Sequence, residues 1–101
     1  MNTKTLLRTM EIAHKEAIFQ TIKQIIRSEL VLYMFEINEF SENTRFKELS
    51  DYDSLANIII HLEFERVFQI SIPDKDYTAF VTVNDVINYV EKRLNEKKAD
   101  L

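Results

Sequence analysis

The 101 residues contain no cysteine, no glycine and no tryptophan, and Pro73 is the single proline. Without thiols the chain forms neither disulfides nor thiolate metal sites. Without glycine it has no phosphate cradle of the P-loop or dinucleotide-binding kind, in which the backbone must approach the phosphates closely. The scarcity of both chain breakers favours helices over a turn-rich β fold. No apolar run approaches the length that spans a bilayer, and the N-terminus does not lead from a basic segment into an apolar one. No membrane span and a cytoplasmic location are therefore expected. His14 and His61 are the only histidines and stand far apart, so no nucleophile, base and orienter are seen to meet. The expectation is a protein that is not an enzyme, with no catalytic residues and no metal.

The length suits one domain. A hydrophobic fraction of 46% is ordinary for a globular protein with one modest core. Net charge is −4 and unevenly spread. Residues 51–91 carry Asp51, Asp53, Glu63, Glu65, Asp74, Asp76, Asp85 and Glu91 against Arg66 and Lys75. Such an acidic half argues against nucleic acid as a partner and for proteins with basic docking patches.

The stretch from Leu49 to Pro73 organises the chain. Polar Asp51, Tyr52, Asp53 and Ser54 give way to an apolar run through Leu55, Ile58, Ile59, Ile60, Leu62, Phe64, Val67 and Phe68. A short hydroxyl residue before such a run marks a helix start, because its oxygen accepts from an unpaired backbone N–H. A helix is predicted from Ser54 to about Phe68, burying Ile60, Phe64 and Phe68, with Ile58 and Leu62 nearer its outward side. Its first turn presents free N–H groups and the positive end of the macrodipole, which favours an attached phosphate-like anion. By itself Ser54 is most simply a structural cap. Asp51 and Asp53 are better read as cap and docking groups than as an acid–base pair, and His61 as a satisfied bundle or pocket residue.

Upstream, residues 1–34 read as one long helix, or a frayed lead-in plus a helix. Ile18, Ile22, Ile25, Ile26 and Leu30 form its apolar stripe, with Lys15, Lys23, Gln24 and Arg27 opposite. The period fades from Tyr33 to Asp53, a long loop that needs pins, for which Phe35, Ile37, Phe40, Phe46 and Leu49 are suited. After Pro73 a loop with one short helical turn reaches Phe80. Thr82 or Asn84 then caps a last helix to about Leu94, with Val83, Val86, Ile87, Val90 and Leu94 facing inward. The fold class is all-α, a small up-down four-helix bundle of three main helices and a short third one, with a long loop between helices I and II.

Asp53-Ser54-Leu55, preceded by Phe46-Lys47-Glu48-Leu49, resembles the attachment site of the acyl carrier proteins. Leu62-Glu63-Phe64-Glu65 with Phe68 resembles that family's helix II ending, and Ile70-Ser71-Ile72-Pro73-Asp74 its I-x-I-P-D signature. Thr82-Val83-x-Asp85-Val86 with Tyr89-Val90 resembles the start of its last helix, and Thr21 to Ile26 its helix I. The resemblance covers about residues 15 to 94 as a carrier domain, leaving 1–14 as an extension and 95–101 as a charged tail.

The resemblance implies a carrier whose Ser54 receives 4′-phosphopantetheine from coenzyme A by the action of a phosphopantetheinyl transferase. The terminal thiol of that arm then holds an acyl group as a thioester. Asp53 and Leu55 would belong to the attachment site. Leu55, Ile58, Ile59, Leu62, Glu63 and Glu65 would contact the acyl-transferring and acyl-modifying partner enzymes, and the neighbourhood of Ile60, Leu62 and Phe64 would shelter the acyl chain. Ser50, Asp51 and Tyr52 stand where the family has a glycine. Ala56, Ile59 and Arg66 stand where its second helix is usually acidic. A monomeric, specialised carrier in lipid, fatty-acid or polyketide-type biosynthesis is expected. A peptidyl or aminoacyl carrier and an unmodified helical interaction module are the alternatives.

Overall fold

A computed structural model describes residues 3–29, 40–46 and 54–99. Its described residues form four helices and no strands: α1 (Thr3–Glu29), α2 (Ser54–Phe68), the one-turn α3 (Asp74–Tyr77) and α4 (Val83–Ala99). The all-helical expectation holds. The backbone is helical from Thr3, and α4 runs past its expected end at Leu94 to Ala99. Leu30, Phe35, Ile37, Leu49, Asp51 and Asp53 lie outside the described residues.

α1 packs against both α2 and α4. Its isoleucines 18, 22, 25 and 26 are buried, as their spacing predicts, and Phe19 joins them, its ring 5.7 Å from that of Phe40. α4 contributes Val83, Val86, Ile87 and Val90. Phe46, Phe64, Tyr77 and Phe80 form an aromatic group at the other side of this core, with Tyr77 5.6 Å from Phe46 and 5.9 Å from Phe80 between centroids.

The segment 40–46 is fixed at both ends of its short course. Phe40 packs on the core and Phe46 is buried in it. Between them, the carbonyls of Thr44 and Glu42 accept from Val83 N and Asn84 N at 3.0 and 2.8 Å. Those N–H groups have no partner within α4, so this segment completes the helix start. Thr82 caps α4: its Oγ1 accepts from Asp85 N at 3.3 Å, while Asp85 Oδ2 accepts from Thr82 N at 3.1 Å. This reciprocal pair is a capping box with aspartate in the usual glutamate position.

α2 ends where the chain, without glycine, needs a left-handed residue. Gln69 takes φ 54°, and Ile70 N donates back to Glu65 O at 3.3 Å, closing a Schellman-type turn. The turn sends Ile70 and Ile72 into the core. It also sets the segment before α3 against α2.

Candidate functional site

Ser54 is the first helical residue of α2 and is exposed. No acidic residue lies within the first turn of this 15-residue helix, whose positive end lies at Ser54. A phosphodiester on the Ser54 oxygen fits such a position. The neighbouring Asp53 lies outside the described residues.

From Ser54 onward, two stripes run along α2, one exposed and one turned toward the chain that follows the helix. Leu55, Ile58 and Leu62 are 65%, 57% and 58% exposed, and their spacing places them on one side of the helix. Ile59 is half-buried beside them. Ile60 and Phe64, at 1% and 0% exposure, occupy the inward side together with Ala56. Three expectations therefore change. Ala56 is a core residue and has no place on the outer face. Leu62 lies outside, apart from the interior shelter expected around Ile60 and Phe64. Phe68, expected in the core, is half-buried at its edge, where it meets the Phe64 ring at 6.4 Å.

The two glutamates of this helix behave differently. The Glu63 carboxylate accepts two hydrogen bonds from the Arg66 guanidinium, at 3.0 and 2.7 Å. Those bonds hold its carboxyl below the ordinary 4.5. Glu65 Oε2 accepts from Ile72 N at 2.9 Å, so its charge is directed at the backbone of the following segment. Each acid expected on the docking face thus has a partner within the chain.

A second stripe lies one helical step round from the first. Ser54, Ile58, His61 and Glu65 follow one another at helical intervals, and the last three line a groove of about 680 Å³ between α2 and the Ser71–Thr78 segment. His61 Nε2–H donates to the carbonyl of Ile72 at 2.7 Å, and its ring stacks on Tyr77 at 4.1 Å between centroids and 6° between planes. A carbonyl only accepts, so the proton on Nε2 is fixed by this bond. Its Nδ1 lies 3.8 Å from Asp74 Oδ1. The Tyr77 hydroxyl donates to Asn57 Oδ1 at 2.5 Å. Burial pushes the Tyr77 phenol far above its ordinary value, so the hydroxyl keeps its proton and remains a donor.

Sequence reasoning singled out His61 but neither Tyr77 nor Asn57. No local pattern marks those two, because their partnership forms only once Pro73 starts α3 alongside α2. Among the described residues no group of three or more His, Cys, Asp or Glu side chains is placed to hold a metal, and no helix is long and apolar enough to cross a membrane.

The chain is similar to the acyl carrier protein of Aster yellows witches'-broom phytoplasma, 37% identical over 75 residues, which is 74% of this chain and 95% of the relative. It is also similar to the acyl carrier proteins of Amoebophilus asiaticus, 51% identical over 45 residues (45% of this chain, 56% of the relative), and Thermotoga maritima, 29% identical over 82 residues (81% and 98%). No protein-family model and no solved structure matches.

Proposed function

The chain belongs to the acyl carrier protein family, a carrier of acyl groups and not an enzyme, and from that premise we propose that Ser54 is the residue that bears its 4′-phosphopantetheine. The observation that carries the proposal is the exposed Ser54 at the start of α2. Attachment joins Ser54 Oγ to the phosphorus that bears the pantetheine in coenzyme A. It breaks the bond from that phosphorus to the nucleotide, which leaves as adenosine 3′,5′-bisphosphate, and the serine proton passes to a base of the transferase. When bound, the arm supplies a thiol that holds an acyl group as a thioester, chemistry for which a chain without cysteine has no side chain. The chain's own residues do the rest. The N-terminus of α2 stabilises the phosphodiester, and Leu55, Ile58 and Leu62 offer apolar contacts to acyl-handling enzymes.

The same helix supports a specialised partner set. Glu63 is paired with Arg66, Glu65 is turned toward Ile72, and the exposed outer stripe is aliphatic. Surface charge steers encounter and partner choice, so a face with few free carboxylates favours partners that dock through apolar contact. In this reading residues 15–94 are the carrier domain of a lipid, fatty-acid or polyketide-type pathway, with 1–14 and 95–101 as appendages.

Incubation with coenzyme A and a broad-specificity phosphopantetheinyl transferase tests the site by intact mass. The wild type gains one arm and Ser54→Ala gains none, with unchanged helical circular dichroism in both. A gain that survives Ser54→Ala moves the site elsewhere, and no gain in the wild type removes the arm from the account.

A further inference from the structure

We infer that the His61–Tyr77 stack closes the route from the α2–α3 groove to the core, so that this carrier holds a short acyl group in the groove and not a long chain between its helices. The inference rests on Ser54 as the attachment residue and adds the class of cargo. Ser54 heads the stripe that continues through Ile58 and His61 into the groove wall, so whatever is tethered there is delivered along it.

The groove has a floor. Tyr77 lines it on one side and belongs to the core on the other, at 6% exposure. An alkyl chain going inward from the groove must displace this ring, and the ring is held from every direction. Behind it stand Phe46, Phe64 and Phe80, at centroid distances of 5.6, 6.5 and 5.9 Å. Across it lies His61, parallel at 4.1 Å. At its tip the hydroxyl is bonded to Asn57. His61 is in turn tied to the Ile72 carbonyl, whose own N–H is held by Glu65. Moving Tyr77 therefore costs aromatic contacts and leaves a buried hydroxyl and the Asn57 amide oxygen without each other.

The groove itself suits a short tail. Ile58 and Leu62 give it an apolar wall near Ser54, and the two stacked rings give it a flat base. Beside that apolar surface the lining is polar, at Glu65, Ser71, Asp74 and Thr78. A few methylenes find apolar surface there, and a long chain runs into carboxylates and hydroxyls.

The test uses the full chain, loaded at Ser54 from acetyl-, hexanoyl- and decanoyl-coenzyme A, with loading read by intact mass and the effect read as the melting temperature. A methylene that enters the interior adds about 3–6 °C for a domain of this size. In the wild type, the hexanoyl and decanoyl forms are expected to melt within that single-methylene margin of each other. In Tyr77→Ala, and in Tyr77→Leu should the alanine variant not fold, the decanoyl form is expected to melt above the hexanoyl form by more than that margin. A wild-type melting temperature that keeps climbing to decanoyl overturns the inference. So does a folded variant as indifferent to chain length as the wild type, because nothing would then lie behind the stack. Failure to load, seen in the mass before any melting, overturns the Ser54 assignment and this inference with it.

Discussion

α2 and α4 are similar in length and both supply the core, yet they divide their apolar residues in opposite ways. α4 buries Val83, Val86, Ile87 and Val90 and turns Asn84, Asn88, Lys92 and Asn95 outward. That is the one-sided pattern that packing alone demands of a surface helix. α2 satisfies the same demand with Ala56, Ile60 and Phe64, and then presents Leu55, Ile58 and Leu62 to solvent. Folding accounts for every apolar residue on the inner sides of both helices and for none on the outer side of α2. An apolar stripe that folding does not use, starting beside an exposed serine, is the surface on which the proposed partner contacts rest.

The contrast breaks most visibly at Phe64 and Leu62, two positions apart on α2. Phe64→Ala is expected to cost about 3–5 kcal/mol, since the ring is fully buried and its neighbours cannot collapse around the gap. That is a large share of the roughly 5–15 kcal/mol that holds a small domain together. Leu62→Ala is expected to stay within about 0.5 kcal/mol of the wild type, as an exposed site does. Urea unfolding of both variants measures the difference. Comparable losses would mean that Leu62 belongs to the fold, and the idea of a spare apolar face would fail.

How much of this was legible in the chain follows the same division. The limits of α2 and the inward stripe of α4 depend on neighbours three or four residues apart, and Ser54, Thr82 and the valines declared them. The Asp85 partner in the cap of α4 is equally local. The groove is not. Tyr77 meets His61 and Asn57 only because the turn at Gln69 and the start at Pro73 bring α3 back beside α2. Glu65 shows the limit most plainly. On a helix with exposed apolar neighbours it reads as a docking acid, whereas the returning chain presents it with the Ile72 N–H. Phe19 was passed over because it packs on Phe40, a residue too distant in sequence for any helical period to pair with it.

The two helix junctions extend the comparison. α4 begins with side chains that suit their positions, but α2 ends on a glutamine at φ 54°, where a Cβ crowds the backbone. Gln69→Gly relieves that crowding, and the flexibility it adds to the unfolded chain offsets part of the gain, leaving about 0.5–1 kcal/mol of added stability. The bond from Lys97 Nζ goes to the Gln69 carbonyl, at 2.6 Å, and survives the change. A rise in melting temperature of a few degrees is expected. A fall would show that the glutamine side chain contributes more than its conformation costs.

The smallest effect concerns charge on the outer face of α2. Hydrogen bonds from Arg66 lower the Glu63 carboxyl from the ordinary 4.5. A folded value below the unfolded one contributes stability that is present above pH 4.5 and is lost as pH falls through the lower folded value. Because Arg66 is 70% exposed, water and salt screen that contribution. Arg66→Ala should therefore leave stability at neutral pH unchanged within error. The same substitution should move the Glu63 titration, followed by carbon NMR of its carboxyl, up toward 4.5. It also removes the one cation of α2 and frees a carboxylate beside the apolar stripe. If partners dock there mainly through apolar contact, their binding changes little between low and moderate salt in either protein. A binding constant that becomes strongly salt-dependent only in Arg66→Ala would show that Arg66 masks a charge partners are able to read.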